Sequence, residues 1–247
     1  MNFTLPEGYK LHSFETVSST NDVAKKMAAD GAGAGTVIIS AQQEDGRGRQ
    51  GREWISPKGN LYMSCVLKPK ILARDAGQLS FIVAVALANV IDPFLPNTAE
   101  LKLKWPNDLL LRDRKVAGIL LEADTQSSGE VNWVVLGLGV NVMIAPPDSI
   151  SINEITLSQS ELEISDIAHN FCVELDRLLK QWQEKGFGPV RQAWLDRAAG
   201  LQEAIRVRLP NETFFGVFHG LSDDGSLQLL LENGDMKLIT SGQVFIG

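Results

Sequence analysis

Between two apolar, β-rich segments, Thr36 to Ala41 and Leu61 to Leu67, the chain runs through QEDGRGRQGREWISPKGN, residues 43–60. Whatever the fold, this stretch must leave one buried strand and enter the next, so it is a loop at a sheet end. Gly46, Gly48 and Gly51 alternate with Arg47, Arg49 and Arg52, and Trp54 follows. Glycine lets backbone N–H groups approach a ligand closely. Arginine offers a forked, permanently charged donor for carboxylate or phosphate oxygens. Trp54 adds a flat apolar face. A loop of this make-up can close over an anionic, partly aromatic ligand such as a nucleotide. Solvated RNA-binding tails share the composition, but a tail is not wedged between two buried strands.

Charge sharpens the choice. The 247 residues carry 23 basic and 30 acidic side chains, a net charge of -7. General nucleic-acid binding needs phosphate neutralisation and is disfavoured. Basic charge concentrated in one loop of an acidic chain marks a local anion site instead. Only Cys65 and Cys172 are present, without a C-x-x-C pair. Neither a disulfide framework nor a zinc site is expected, and a reducing compartment suits two thiols. The longest apolar tract, Phe81 to Ile91, is broken by Asn89 and falls short of the roughly 18 residues of a membrane span. With no signal-peptide core at the N-terminus, a soluble cytoplasmic protein is expected.

In chain order, Tyr9 to Val17 reads as a strand. Ser19, Thr20 or Asn21 then caps a short helix carrying Val23, Ala24, Met27 and Ala28. These polar side chains could serve as caps alone or meet a ligand at the helix start. Leu61 to Leu67 is apolar on both faces and belongs in the middle of a sheet. Ala76 to Val90 is a buried helix closed by Pro93 and Pro96. Leu101 to Lys104 alternates as a strand into the turn residues Trp105-Pro106-Asn107-Asp108, with further strands at Val116 to Glu122 and Trp133 to Val140. The pair Gly137 and Gly139 within a strand marks a close approach by a ligand, another backbone or a helix. A looser connection starts at Pro146. Helices follow from an N-cap at Ser165 to Gly186 and from Pro189 to about Ala199. Five short strands after Gly200 suggest a small SH3-like barrel, dividing the chain into residues 1–200 and 201–247.

Familiar catalytic constellations are missing. The sequence holds no P-loop, no strand-following G-x-G-x-x-G and no G-x-S-x-G elbow, and neither cysteine has a neighbouring histidine. What remains is a set of anion-oriented groups: Arg47, Arg49, Arg52, Lys104 and Lys115, with Asn107, Asp108 and Asn141. Such a set can hold two anions together and carry a reaction by positioning and charge neutralisation.

In its ordered blocks the chain resembles the biotin–protein ligases: Ser19-Thr20-Asn21, then Gly46 to Trp54 with Ser56-Pro57 and Asn60 to Ser64, then Lys104 to Asp108, Lys115 to Leu120, and Gly137 to Asn141. The resemblance spans essentially the whole chain. It implies an α+β fold, a mixed and mostly antiparallel sheet flanked by helices as in class II synthetases, with the C-terminal SH3-like barrel. It implies that Ser19, Thr20 and Gln43 hydrogen-bond the biotin head group, with Asn21 beside them. Gly46, Arg47, Gly48 and Arg49 would fold over the biotin tail and adenylate. Gly118 joins the biotin-binding set. Arg52, Trp54, Asn107, Asp108 and Asn141 would seat the nucleotide, Trp54 against the adenine. Lys115 would bridge the biotin carboxylate and the α-phosphate, with Arg47 and Arg49 as its catalytic companions.

ATP with Mg²⁺ and biotin are the implied reactants, with no dedicated protein ligands for the metal. The implied acceptor is the biotin carboxyl carrier domain of a carboxylase. Because Tyr9 to Asn21 already belongs to the catalytic unit, no DNA-binding helix-turn-helix and no DNA partner are expected. Val131 to Val140 is expected as a sheet edge for a carrier or a second copy in a homodimer. A lipoate–protein ligase shares a Lys-x-x-Gly element but lacks the Gly/Arg loop before Trp-x-Ser-Pro. A non-catalytic biotin or nucleotide sensor is the remaining alternative.

Overall fold

A computed structural model describes residues 3–96, 101–156 and 163–246. Its larger sheet has seven strands in the order β1-β2-β3-β7-β6-β5-β4. These are β1 (Lys10–Val17), β2 (Thr36–Gln43), β3 (Leu61–Leu67), β4 (Leu101–Lys104), β5 (Asp108–Leu111), β6 (Arg114–Thr125) and β7 (Val131–Val140). Only β1 and β2 pair in parallel; all other neighbours are antiparallel. The sheet is therefore mixed and mostly antiparallel, as expected. Strand β3 is buried along its whole length, which its unbroken apolar run required.

The two faces of the sheet are covered differently. On one face lies the short helix α1 (Thr20–Ala29). Its Ala24 and Ala28 pack on Ile38, Val66 and Val135 as a small separate cluster. On the other face sit α2 (Gln78–Ile91), α3 (Ile164–Lys185) and α4 (Gly188–Leu195) over the main core. Alternation along the strands allows both: Met63 and Leu138 point into the main core, Val66 and Val135 towards α1. Because α1 covers only part of its face, the neighbouring part, floored by Gly137 and Gly139, is left for a site.

Residues Ala73–Phe94, comprising α2 and its flanking turns, form a helical stretch containing an 18-residue segment of mean hydropathy 1.5, long and apolar enough to cross a bilayer. It is instead a core helix, with nearly every residue of α2 buried against the sheet, α3 and α4. The sequence reading, which looked for an uninterrupted apolar run, missed this composition.

Several boundaries move. Helix α3 begins at Ile164 with Glu163 as its N-cap, two residues earlier than the Ser165 cap expected, and α4 ends at Leu195. Part of the connection after Pro146, residues 157–162, lies outside the described residues. One expectation fails outright. Strand β7 is not an edge, since it pairs with β3 along one side and β6 along the other. Its backbone groups are spent inside the sheet, and the edges are β1 and β4. A nearly unbroken run of buried residues from Val134 to Val140 fits this interior place better than the edge assigned to it.

The C-terminal strands are β8 (Ala204–Arg208), β9 (Thr213–Leu221), β10 (Leu227–Leu230), β11 (Met236–Ile239) and β12 (Gln243–Ile246), a wholly antiparallel sheet in the order β11-β10-β9-β8-β12. It is of the SH3-like type expected. A chain of edge-on aromatic contacts fastens it to the rest: Phe81 of α2 meets Trp194 of α4 at 5.4 Å, and Trp194 meets Phe218 of β9 at 6.4 Å. Trp105 Nε1 donates to Gly225 O (3.2 Å), and Arg191 Nη1 donates to Leu221 O (3.1 Å).

Candidate active site

The Gly/Arg stretch folds as a small hairpin. Trp54 N–H donates to Gly46 O (2.8 Å), Arg47 bridges Glu53, and Gly48 N–H donates to Arg52 O (2.7 Å). At the tip, Gln50 (φ 58) and Gly51 (φ 72) are both left-handed, and Arg52 N–H donates to Arg49 O. That is a type I′ turn, in which glycine at the second central position avoids the strain a Cβ would bring. Each arginine leaves the hairpin towards a different element. Arg47 pairs with Asp22 of α1 and with Glu122 of β6 (3.4 Å). Arg49 Nη1 donates to Asn107 Oδ1 (3.1 Å), and Arg52 Nη2 donates to Gln243 Oε1 of β12 (2.7 Å).

Trp54 points down onto the sheet. A Cβ added to Gly139 would lie 2.4 Å from the indole, and one added to Gly118 would lie 3.0 Å from it. One at Gly137 would lie 2.2 Å from Asn21 Oδ1. The glycine pair therefore records two close approaches, a loop side chain at Gly139 and a helix side chain at Gly137. Around this floor is a cavity of about 150 Å³.

Lys115 reaches the cavity through an irregularity. Residues three apart on a regular strand point to opposite faces. Yet Lys115 Nζ lies 3.2 Å from where a Gly118 Cβ would stand. The cause is a bulge: Leu109 pairs with Ala117 but Leu110 with Lys115, so Val116 is extra. Asn141 holds that bulge from behind. Its N–H donates to Val116 O (2.8 Å), and its Nδ2 lies 3.3 Å from Ile150 O and 3.5 Å from Lys115 O.

At the other end, the start of α1 is joined to the sheet by side chains. Ser19 is at the N-cap, but its hydroxyl makes no capping bond. Gln43 Oε1 accepts from Thr20 N–H (2.8 Å) and Thr20 Oγ1 (3.1 Å), and Gln43 Nε2 donates to Ser56 Oγ (2.9 Å). Ser64 Oγ lies 2.6 Å from Asn21 Oδ1, while Asn21 Nδ2 donates to Glu122 Oε2 (2.8 Å). The polar cluster thus orders a site wall, beyond anything helix capping requires.

Electrostatically the cavity is a concentration of cations. Lys115 Nζ has Asp108 Oδ1 at 2.6 Å and the Trp54 ring centroid at 5.1 Å. Burial lowers the pKa of Lys104 from the ordinary lysine value; nearby Lys115 and Arg52 push the same way and Asp108 opposes them. Burial likewise lowers that of Arg49. Cations held dry and crowded in this way are relieved by an incoming anion. Two donors of the loop, Arg47 Nε and Trp54 Nε1, are buried without a hydrogen-bond partner among the described residues. The thiols take no part: burial pushes Cys172 up to about 12 and Cys65 well above its ordinary value, so neither is a nucleophile.

Every site residue implied by the resemblance lines this cavity except Gly46 and Asn141. Gly46 lies at the hairpin base, where a Cβ would meet Trp54 O at 2.4 Å, and Asn141 is 2% exposed behind the bulge. Asp22, Glu122 and Gln243 were not foreseen. Glu122 joins Asn21, Lys25 (2.7 Å) and Arg47. Its placement was available from the period of two, since Gly118, Leu120 and Glu122 share a face of β6.

Residues 13–141 match the Biotin/lipoate A/B protein ligase family, and residues 200–247 match the Biotin protein ligase C terminal domain. The chain is 38% identical over 236 residues to a biotin–[acetyl-CoA-carboxylase] ligase of Paracoccus denitrificans, covering 93% of this chain and 97% of that protein. It is 31% identical over 247 residues to the bifunctional ligase/repressor BirA of Bacillus subtilis, covering 97% of this chain and 75% of that protein. A biotin protein ligase of Aquifex aeolicus solved in complex with biotin and ATP superimposes with a TM-score of 0.79 at 26% identity, covering 96% of this chain and 98% of that one. Ordered blocks converging on one cavity, with likenesses that extend over both sheets, make this chain a member of the biotin/lipoate A/B protein ligase family that carries the C-terminal domain of the biotin protein ligases.

Proposed function

We propose that the protein activates biotin with ATP to biotinyl-5′-adenylate and then transfers biotin to one lysine of a biotin carboxyl carrier domain. The observation that carries this is the gathering of Lys104, Lys115, Arg47, Arg49 and Arg52 around one glycine-floored cavity. Support comes from the Paracoccus ligase's likeness and from the Aquifex ligase's complex with biotin and ATP.

Two anions have to meet, and unit charges 4 Å apart repel by about 4 kcal/mol at an effective dielectric of 20. Lys115 between them, with Arg47 and Arg49 above, offsets that repulsion and favours the charge-rich transition state. A biotin carboxylate oxygen attacks the α-phosphorus of ATP; the O–P bond forms as pyrophosphate leaves. The carrier's lysine amine, losing a proton, then attacks the acyl carbon and AMP departs. Ser19, Thr20, Asn21 and Gln43 hold the biotin head group, with Gly118 at the floor and Gly46 and Gly48 shaping the hairpin over the tail. Trp54 and Asn107 seat the nucleotide, and Asn141 acts by holding the bulge that carries Lys115. Asp108 orients Lys115.

Mg²⁺ would arrive on the triphosphate. Among the described residues no group of three His, Cys, Asp or Glu side chains is placed to hold a metal ion, and Asp108 is engaged by Lys115. We also infer that residues 1–200 form the catalytic unit and 201–247 its appended barrel, that the cytoplasm is its compartment, and that it does not bind DNA.

Intact-mass spectrometry of a carboxyl carrier domain incubated with the protein, ATP, Mg²⁺ and biotin tests the reading. One biotinyl group on one lysine is expected; an unmodified carrier, or pyrophosphate exchange driven by lipoate and not biotin, overturns it. A second experiment addresses the hairpin. Arg47→Gly removes the contacts to Asp22 and Glu122 and should release free adenylate about tenfold faster, as expected for losing one charged hydrogen bond. Chromatography of the adenylate in solution, unchanged from wild type, would refute that role.

A further inference from the structure

Of the three arginines on the hairpin, Arg52 is the one that hydrogen-bonds the C-terminal sheet among the described residues. It is exposed, and its Nη2 donates to Gln243 Oε1 at 2.7 Å, across 191 residues of chain. Gln243 is the first residue of β12, which pairs with β8 through Gln243 and Arg208. That sheet is a fixed body. The Phe81–Trp194–Phe218 stack and the Trp105 bond to Gly225 O anchor it to the sheet carrying the site. Arg191 adds an ion pair to Asp223 at 2.8 Å. Gln243 is therefore held in place relative to the cavity, which it helps to line. The hairpin tip beside Arg52 is a tight turn whose two central residues, Gln50 and Gly51, are both exposed.

We propose that Gln243 is a positioning residue that clasps the hairpin shut through Arg52. The C-terminal sheet then governs how long an adenylate is retained, without touching the reacting atoms. This reassigns Arg52: its charge is spent on the clasp, while Arg47 and Arg49 face the ligand. The inference rests on the adenylating activity proposed above. A carboxamide oxygen suits the task, because it accepts from a guanidinium. Arg47 and Arg49 hold the arms of the hairpin to the catalytic sheet, so the tip is the part left to a second body.

The test uses the full chain with Gln243→Ala, Arg52→Ala, the double variant and Gln243→Glu. Biotin-dependent exchange of labelled pyrophosphate into ATP reads adenylation, and chase of preformed radiolabelled adenylate reads its release. Each single alanine variant should speed release about fivefold, somewhat less than a fully buried charged hydrogen bond would give. For Gln243→Ala, exchange at saturating substrates should stay within twofold of wild type, on the order of the coupling error in such cycles. The double variant should match the singles, because both remove one contact. Gln243→Glu, which offers Arg52 a carboxylate, should restore slow release. A merely structural role for Gln243 predicts no rescue by glutamate and no matching effect at Arg52. Additive effects, a larger loss at Arg52 than at Gln243, or release unmoved by Gln243→Ala overturns the clasp. Wild-type protein without biotin-dependent exchange would instead overturn the activity on which the clasp rests.

Discussion

Lys115→Ala should abolish adenylate formation, lowering biotin-dependent pyrophosphate exchange about a thousandfold, while the protein stays folded. A preorganised charge aimed at a developing anionic transition state is worth two to three powers of ten when removed, on the order of an oxyanion-hole donor. Here Lys115 is held by Asp108 at 2.6 Å and by the face of Trp54. Loss of its stem opens little core, because the side chain is 32% exposed. Removal of a partly solvated ion pair costs stability only about 1 kcal/mol, so thermal unfolding should shift by a few degrees at most. Exchange within tenfold of wild type would show that something other than Lys115 joins the two anions.

The second large effect is expected at the floor. In Gly139→Ala the new methyl would stand 2.4 Å from the Trp54 indole, so the ring must leave. Forcing an added carbon into a packed site costs about 1–3 kcal/mol, between roughly fivefold and 150-fold in ligand affinity. Isothermal titration of the biotin-saturated protein with a non-hydrolysable ATP analogue reads the loss, and tryptophan fluorescence reads the displaced indole. Gly33→Ala is the control. It has no atom within 4 Å of its added carbon and should bind as wild type does. Equal affinities for the two variants would mean that the floor does not bear on the ligand.

Most of the residues that line the cavity were legible in the sequence, because they come in short blocks at strand ends. Gly46 to Trp54, Lys104 to Asp108 and Gly137 to Asn141 each announce a turn or a close approach through residue types that have few other uses. The clustering of the blocks could not be read from spacing. It follows from strand order, which places β7 and β6 beside β3 although β4 and β5 intervene in the chain. That order also misled: Val131 to Val140 reads equally well as an edge or an interior strand until its neighbours are known.

The bulge at Val116 was hidden for a related reason. A regular strand predicts Lys115 and Gly118 on opposite faces, and only the pairing with β5 shows the extra residue. Gln243 had no local signal at all, since a glutamine opening a short strand becomes informative only when Arg52 is seen against it. Asp22 and Glu122 are intermediate cases, visible once α1 is set on its sheet.

The helical stretch Ala73–Phe94 has a consequence for how the chain comes into being. Its composition would suit a bilayer, and what keeps it in water is cover supplied by other elements. Much of that cover lies downstream: β4, β5 and β6, then α3 and α4, all follow it in the chain. A ribosome that has released only the first hundred or so residues has made the helix but not its shelter. During that interval the nascent chain carries a greasy surface of the kind that chaperones and insertion machinery bind, and truncation before Ile164 leaves it partly bare for good. The same helix that is the quietest part of the finished enzyme is the part most in need of company while it is being built.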